Sequence, residues 1–281
     1  SPAWLLPYID KKKIKTVSTF HNIYGNENII KNLYNKQLGK VDNIIAISDY
    51  VKEEIIKNYN FLPNKIKVIN RGIDVNIFNK KTIKENEFIV FLKKYSIDAN
   101  KKIILFPGRL TNWKGQIEFL EIVERFKDKE IIFYFVGDDK NKSYLDKLIK
   151  EINKKQLNTN CRILGHLNHN DLQNMYQCSD IIISAPLQPE GFGRTVTEAL
   201  SMEKIVLAYN FGGVGNQLKL LDPLYKIKPL DIEDLINKIN IVLELDINII
   251  NKMGEKARQH IIDNFSKEIM LKAYFNIYSE L

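Results

Sequence analysis

Glu190-Gly191-Phe192-Gly193-Arg194-Thr195-Val196-Thr197-Glu198 is the stretch from which the rest of the chain can be read. It follows an apolar run, Ile181–Ser184, and a short loop, Ala185–Pro189, and it leads into a helical segment over Thr195–Met202. A strand, a glycine-bearing turn and a helix in that order aim backbone N–H groups at an anion such as phosphate. Gly191 and Gly193 let the backbone approach a ligand closely. Glu190 can reach a sugar from the loop, and Glu198, one turn into the helix, can accept from ribose hydroxyls. The plainer reading of this stretch alone is a tight turn with an acid stabilising a helix dipole.

A second stretch, Phe106-Pro107-Gly108-Arg109-Leu110-Thr111-Asn112-Trp113-Lys114-Gly115, stands about 80 residues earlier. It follows the apolar run Ile103–Phe106 and precedes a helical pattern over Gln116–Phe126. Arg109 and Lys114 therefore flank a strand–helix loop, where α/β folds bind ligands. Two cations there can neutralise a diphosphate, Arg as a planar fork and Lys as a point charge. The plainer reading is a pair of solvated surface cations in a Lys-rich chain.

Outward from these loops, β-branched runs alternate with helix-period segments, the pattern of parallel α/β sheets. Strands are expected at Ile14–Thr19, Asn43–Ile47, Ile66–Ile69, Ile103–Phe106, Ile131–Val136, Arg162–Leu164, Ile181–Ser184 and Ile205–Ala208. Leu145, Leu148, Ile149 and Ile152 share one helix face, as do Met270, Ala273, Tyr274 and Ile277 behind Ser266 as N-cap. The expected fold class is α/β, with two Rossmann-like domains built on parallel sheets. Residues 1–78 would form a partial first domain, 79–260 a complete second one, and 261–281 a terminal helix. Only about three strands precede residue 78, too few to leave no central strand as an edge. The first domain is therefore expected to lack its opening strands.

The 281 residues carry a net charge of +8, with 44% hydrophobic and 27% charged residues, an ordinary globular balance. The positive charge suits anionic partners such as nucleotide diphosphates or acidic lipid head groups. It argues weakly for nucleic acid, because Lys is scattered and no recognition motif accompanies it. Cys161 and Cys178 are the only cysteines, which fits a reducing compartment and speaks against a disulfide or a metal site. Asp138-Asp139 follows a strand, but no second cluster at ligand spacing appears, so no metal is expected. His169 and His260 read as surface residues, and Trp4 as part of the first domain's packing.

The ordered set of motifs resembles the large retaining glycosyltransferase family 4, of the GT-B fold. Supporting segments are Thr19-Phe20-His21-Asn22, Ile44-Ile45-Ala46-Ile47-Ser48, Val68 through Phe78, Phe135-Val136-Gly137-Asp138 and Gly165-His166-Leu167. The opening Ser-Pro-Ala-Trp and the wording around Trp113 are most similar to a subgroup associated with lipopolysaccharide core assembly. The resemblance implies that Gly108, Arg109 and Lys114 meet the leaving diphosphate, and that Gly137, His166 and Leu167 lie near the nucleotide base. Glu190 would hydrogen-bond the donor sugar, with main-chain N–H groups of Gly191, Phe192, Gly193, Arg194 and Thr195 around sugar and phosphate. Glu198 would hold the ribose, and His21 would reach across the cleft to help place the transferred sugar. It implies a UDP-, GDP- or ADP-sugar donor, no metal and no other cofactor, and a glycan or lipid-linked acceptor. It also implies a bacterial cytoplasmic location, with peripheral inner-membrane contact through residues such as Lys11-Lys12-Lys13. The terminal helix would cross back to the first domain. Gly212-Gly213 matches a glycine pair of the family, but Asn216 stands where an acid is usual.

Three other readings compete with this one. An inactive remnant, binding nucleotide sugar only, follows from the missing strands. A GT-B sugar-nucleotide epimerase would need a His and carboxylate set for proton abstraction, and none stands out. A nucleic-acid-binding module rests on charge alone.

Overall fold

A computed structural model describes residues 2–10, 12–23 and 28–281 of the chain. Lys11 of the basic cluster and the opening Ser1 lie outside the described residues, and Lys12 and Lys13 are exposed.

Two parallel sheets form. The first contains β1 (Val17–Phe20), β2 (Asn43–Ala46) and β3 (Ile66–Val68), in that spatial order. β1 starts three residues later than the apolar pattern predicts, because Lys13 and Ile14 close a turn onto the Asp10 carbonyl instead. The second contains β4 (Lys102–Pro107), β5 (Ile131–Val136), β6 (Cys161–Gly165), β7 (Ile181–Ser184), β8 (Ile205–Tyr209) and β9 (Lys226–Ile227), ordered β6-β5-β4-β7-β8-β9. β9 has only two residues, too short to show an apolar period, and escapes the sequence reading. Strands β4, β5, β7 and β8 are buried almost throughout, as expected of strands covered on both faces.

The order reverses beside β4, which pairs with β5 on one side and β7 on the other. That reversal opens a crevice at the carboxyl ends of β4 and β7, where connections leave toward opposite faces. The two motif stretches are the loops leaving those two strands.

Helices follow their apolar spacing with local exceptions. In the helix Lys142–Lys154, Tyr144, Leu148 and Ile152 are buried, whereas Ile149, expected on the same face, is 42% exposed. Ser266 accepts from the Ile269 N–H and caps the terminal helix Lys267–Ser279. Met270, Ala273, Tyr274 and Ile277 of that helix pack against Ile45, Ile69 and Val17 of the first sheet. Trp4 is not packed inside: it is 43% exposed, with its ring tilted against Tyr34 at 6.0 Å, while Ala3 and Leu6 enter the core.

The connector between the sheets is held at two places. Ile73 pairs with Ser266, its N–H donating to the Phe265 carbonyl at 2.9 Å and its carbonyl accepting from the Lys267 N–H at 2.8 Å. The Arg258 guanidinium donates to the carbonyls of Phe78 at 2.8 Å and Val75 at 2.9 Å, and to that of Ser201. Burial holds the Arg258 pKa below the usual guanidinium value. Cys161 and Cys178 are free thiols, each pushed up to about 12, chiefly by burial.

Candidate active site

The loop leaving β4 is shaped from within. Leu110 is fully buried and its N–H donates to the Asp138 carbonyl at 2.9 Å. Gln116 donates to the Arg109 carbonyl at 3.0 Å and accepts from the Tyr144 hydroxyl at 3.1 Å. The single turn Asn112–Lys114 then swings Lys114 inward, and Gly115 ends it in the left-handed region at φ 81°. Lys114 is buried, and its ammonium pairs with the equally buried Glu190 carboxylate. The Trp113 ring faces both cations, with Lys114 Nζ 4.6 Å and Arg109 Cζ 5.8 Å from its centroid.

The loop leaving β7 is braced from behind. The Gly213 N–H donates to the Glu190 carbonyl at 2.7 Å, and Gln217 donates its side-chain amide to the Phe192 carbonyl. Gly193 adopts φ 84°, and a Cβ there would strike Val214 Cγ2. Gly191 meets the first domain, where a Cβ would run into the His21 carbonyl. Val214–Gln217 thus support the glycine turn. His260 is half-buried rather than a free surface residue: its Nε2 lies 2.8 Å from the Gln217 carbonyl, and burial depresses its pKa.

Between these loops and the first domain lies a cleft of about 780 Å³. Gly108, Arg109 and Lys114 line it from one side, and Glu190, Gly191, Phe192, Gly193, Arg194 and Thr195 from another. His21 faces them across the opening. The protein around the His21 ring, and then the Arg71 charge, hold its pKa below the usual imidazole value. The Thr195 hydroxyl oxygen is buried and has no partner among the described residues.

Glu198 does not open into this cleft. Its oxygens accept from Arg194 Nε at 2.9 Å and from the Tyr176 hydroxyl at 3.0 Å, and burial raises its pKa against the pull of Arg194. Arg194, which does line the cleft, links Glu198 to its wall. Gly137, His166 and Leu167 also lie outside its walls. Gly137 donates to the Gly165 carbonyl at 2.8 Å, His166 is exposed and Leu167 is buried. The sequence reading missed Asn22, Ile47, Arg71 and Gln188 as cleft walls. Asn22, Ile47 and Arg71 fall inside the family-like segments, but only the approach of the first domain makes them walls, and Gln188 comes from the loop after β7.

Asp138 accepts from the Lys140 N–H at 3.0 Å and Asp139 pairs with Lys142 at 2.9 Å. Among the described residues, no group of three or more His, Cys, Asp and Glu could hold a metal ion. No helix among them is long and apolar enough to cross a membrane.

Comparison with known proteins agrees with this fold. Residues 88–260 match the family "Glycosyl transferases group 1", and residues 1–77 match "Glycosyltransferase Family 4". A trehalose synthase from Thermococcus litoralis is 26% identical over 244 residues, covering 83% of this chain and 56% of that protein. The chain thus spans just over half the length of that relative. A crystal structure of a glycosyltransferase from Rickettsia africae superposes with a TM-score of 0.88 at 31% identity, covering 99% of this chain and 73% of that one. HepE from Anabaena, solved with UDP and glucose, superposes with a TM-score of 0.84 at 21% identity over 96% of this chain and 72% of its own. Family match, sheet order and the placement of the two motif loops agree: the chain belongs to the glycosyl transferases group 1, with the GT-B fold.

Proposed function

We propose that the protein is a retaining hexosyltransferase that binds a nucleotide diphosphate sugar in the cleft between its sheets and transfers the sugar to a hydroxyl of a lipopolysaccharide, or another glycan or lipid, acceptor. The observation that carries this reading is the convergence of Arg109, Lys114 and the Glu190–Thr195 loop on one cleft at the strand-order reversal. The anomeric C–O bond breaks with its electron pair going to the diphosphate. The acceptor oxygen bonds to the anomeric carbon, and its proton passes to the diphosphate or to solvent. Positive charge grows on the sugar and negative charge on the leaving group. Arg109, Lys114 and the loop N–H groups meet that negative charge with fixed dipoles and cations, which lowers the barrier preferentially. In this reading they do so without a metal ion. Glu190 holds donor hydroxyls, Glu198 the ribose by way of the Arg194 contact, and His21, kept neutral near pH 7, contacts the transferred sugar. Gly137, His166 and Leu167 border the base. HepE's complex with UDP and glucose makes UDP-glucose the first donor to try.

The test is calorimetry with UDP, GDP and ADP, followed by transfer assays with the matching sugar donor, with and without EDTA. Binding of one nucleotide, lost in Lys114→Ala, is expected. Absence of binding by all three overturns the reading. A second reading is donor binding without transfer by this chain alone. It is supported by the division of residues, since Arg109, Lys114, Glu190 and Glu198 all lie around the second sheet and the first contributes few walls. Release of free nucleotide without a glycosylated product would favour it. A cytoplasmic place beside the inner membrane, through basic residues such as Lys12 and Lys13, belongs to the same proposal.

A further inference from the structure

Trp113 is joined to both motif loops at once. Its carbonyl accepts from the Leu187 N–H at 2.8 Å, which ties the turn after β4 to the loop after β7, three residues before Glu190. Its ring lines the cleft and faces Lys114 Nζ at 4.6 Å and Arg109 Cζ at 5.8 Å. Those are the two cations assigned to the diphosphate. Like charges repel; Lys114 has the Glu190 carboxylate as its counter-charge, and both cations also meet the electron-rich face of the indole. Arg109 is exposed and makes no ion pair among the described residues, so this ring is its aromatic anchor.

We infer that Trp113 is a positioning residue for the donor diphosphate: its ring holds Arg109, and together with the Glu190 carboxylate it holds Lys114, in place before the ligand arrives. The inference rests on the nucleotide-sugar reading above. Preplaced cations spare the ligand the cost of ordering two long side chains. The gain therefore belongs to the diphosphate and not to the nucleoside.

Trp4 and Trp113 are the only tryptophans, which makes the site directly readable. In a Trp4→Phe background, UDP, or GDP or ADP if one of those is the nucleotide bound, is expected to change the emission of Trp113. In Trp113→Phe, where Trp4 alone emits, the same nucleotide should leave emission unchanged. By calorimetry, Trp113→Leu should bind the diphosphate about 3- to 30-fold more weakly, the span of a cation–π contact from exposed to desolvated. The monophosphate should bind it as tightly as it binds wild type. Trp113→Phe, which keeps a ring, should recover most of the loss and guards against a mere folding defect. Equal weakening of monophosphate and diphosphate would mark Trp113 as structural and overturn the inference. So would unchanged diphosphate binding by Trp113→Leu, while leaving the donor reading intact. If wild type binds none of UDP, GDP and ADP, the donor reading fails and the inference falls with it.

Discussion

The Ser48 hydroxyl donates to the Gly191 carbonyl at 2.6 Å, across the seam between the two sheets. The same oxygen accepts from the Val51 N–H and caps the helix Asp49–Tyr59. One buried hydroxyl thus starts a helix of the first domain and holds the glycine turn of the second. Ser48→Ala removes a cap and leaves a buried carbonyl without its donor, an expected loss of about 2 kcal/mol. Urea unfolding measures it.

Asn216 adds a second link, donating to Asp49 Oδ2 at 2.8 Å. An acid at 216 would set like charges against each other at this point, so the amide suits this interface. Asn216→Asp is expected to weaken donor binding by up to about fivefold, or ~1 kcal/mol, the scale of an exposed charge pair. Asp49→Asn in the same chain should restore it. Failure of that rescue would show that the Asn216–Asp49 contact does not affect donor binding.

Lys114 and Glu190 illustrate the cost of a buried pair. Each is the other's counter-charge, with both side chains buried. Lys114→Met leaves a carboxylate buried alone, an expected loss of about 3 kcal/mol or more, and joining it to Glu190→Met should recover most of that loss. Both proteins should fail to bind donor. Denaturation and calorimetry on the same samples distinguish stability from binding.

Arg258 joins the connector to the second domain through three carbonyls. Arg258→Ala should cost about 3 kcal/mol, since hydrogen bonds to a charged group exceed neutral ones. Thermal melting would show whether the two halves still unfold together.

Stability should fall as pH drops below about 6.5. His21 and His260 have folded-state pKa values below the ordinary one, both chiefly through burial. As pH falls past the unfolded value, the unfolded chain therefore takes up protons first, and folding is disfavoured until the folded pKa is reached. Glu198, raised by burial, acts in the opposite sense toward lower pH. A His21→Asn/His260→Asn double variant should show a flatter melting profile between pH 7.5 and 5.5, the range to scan by calorimetry. An unchanged slope would sink the assignment.

The sequence by itself determined the alternation of strands and helices, the two-sheet α/β class and the two loops that line the cleft. Those features are local: a run of β-branched residues, a glycine that must accept φ 84°, a charge at a loop position. Tertiary structure alone decided which distant groups face one another. Lys114 and Glu190 are 76 positions apart and pair only because β4 and β7 are neighbours in the sheet. Glu198 looked free in the sequence but is held by Tyr176 and Arg194, and His260 looked external but backs Gln217. Arg71 and Asn22 became cleft walls only when the first sheet closed over Gly191. The physical reason is range. Periodicity and turn chemistry act over a few residues, whereas burial, pairing and electrostatic environment depend on what the folded chain brings within a few ångströms.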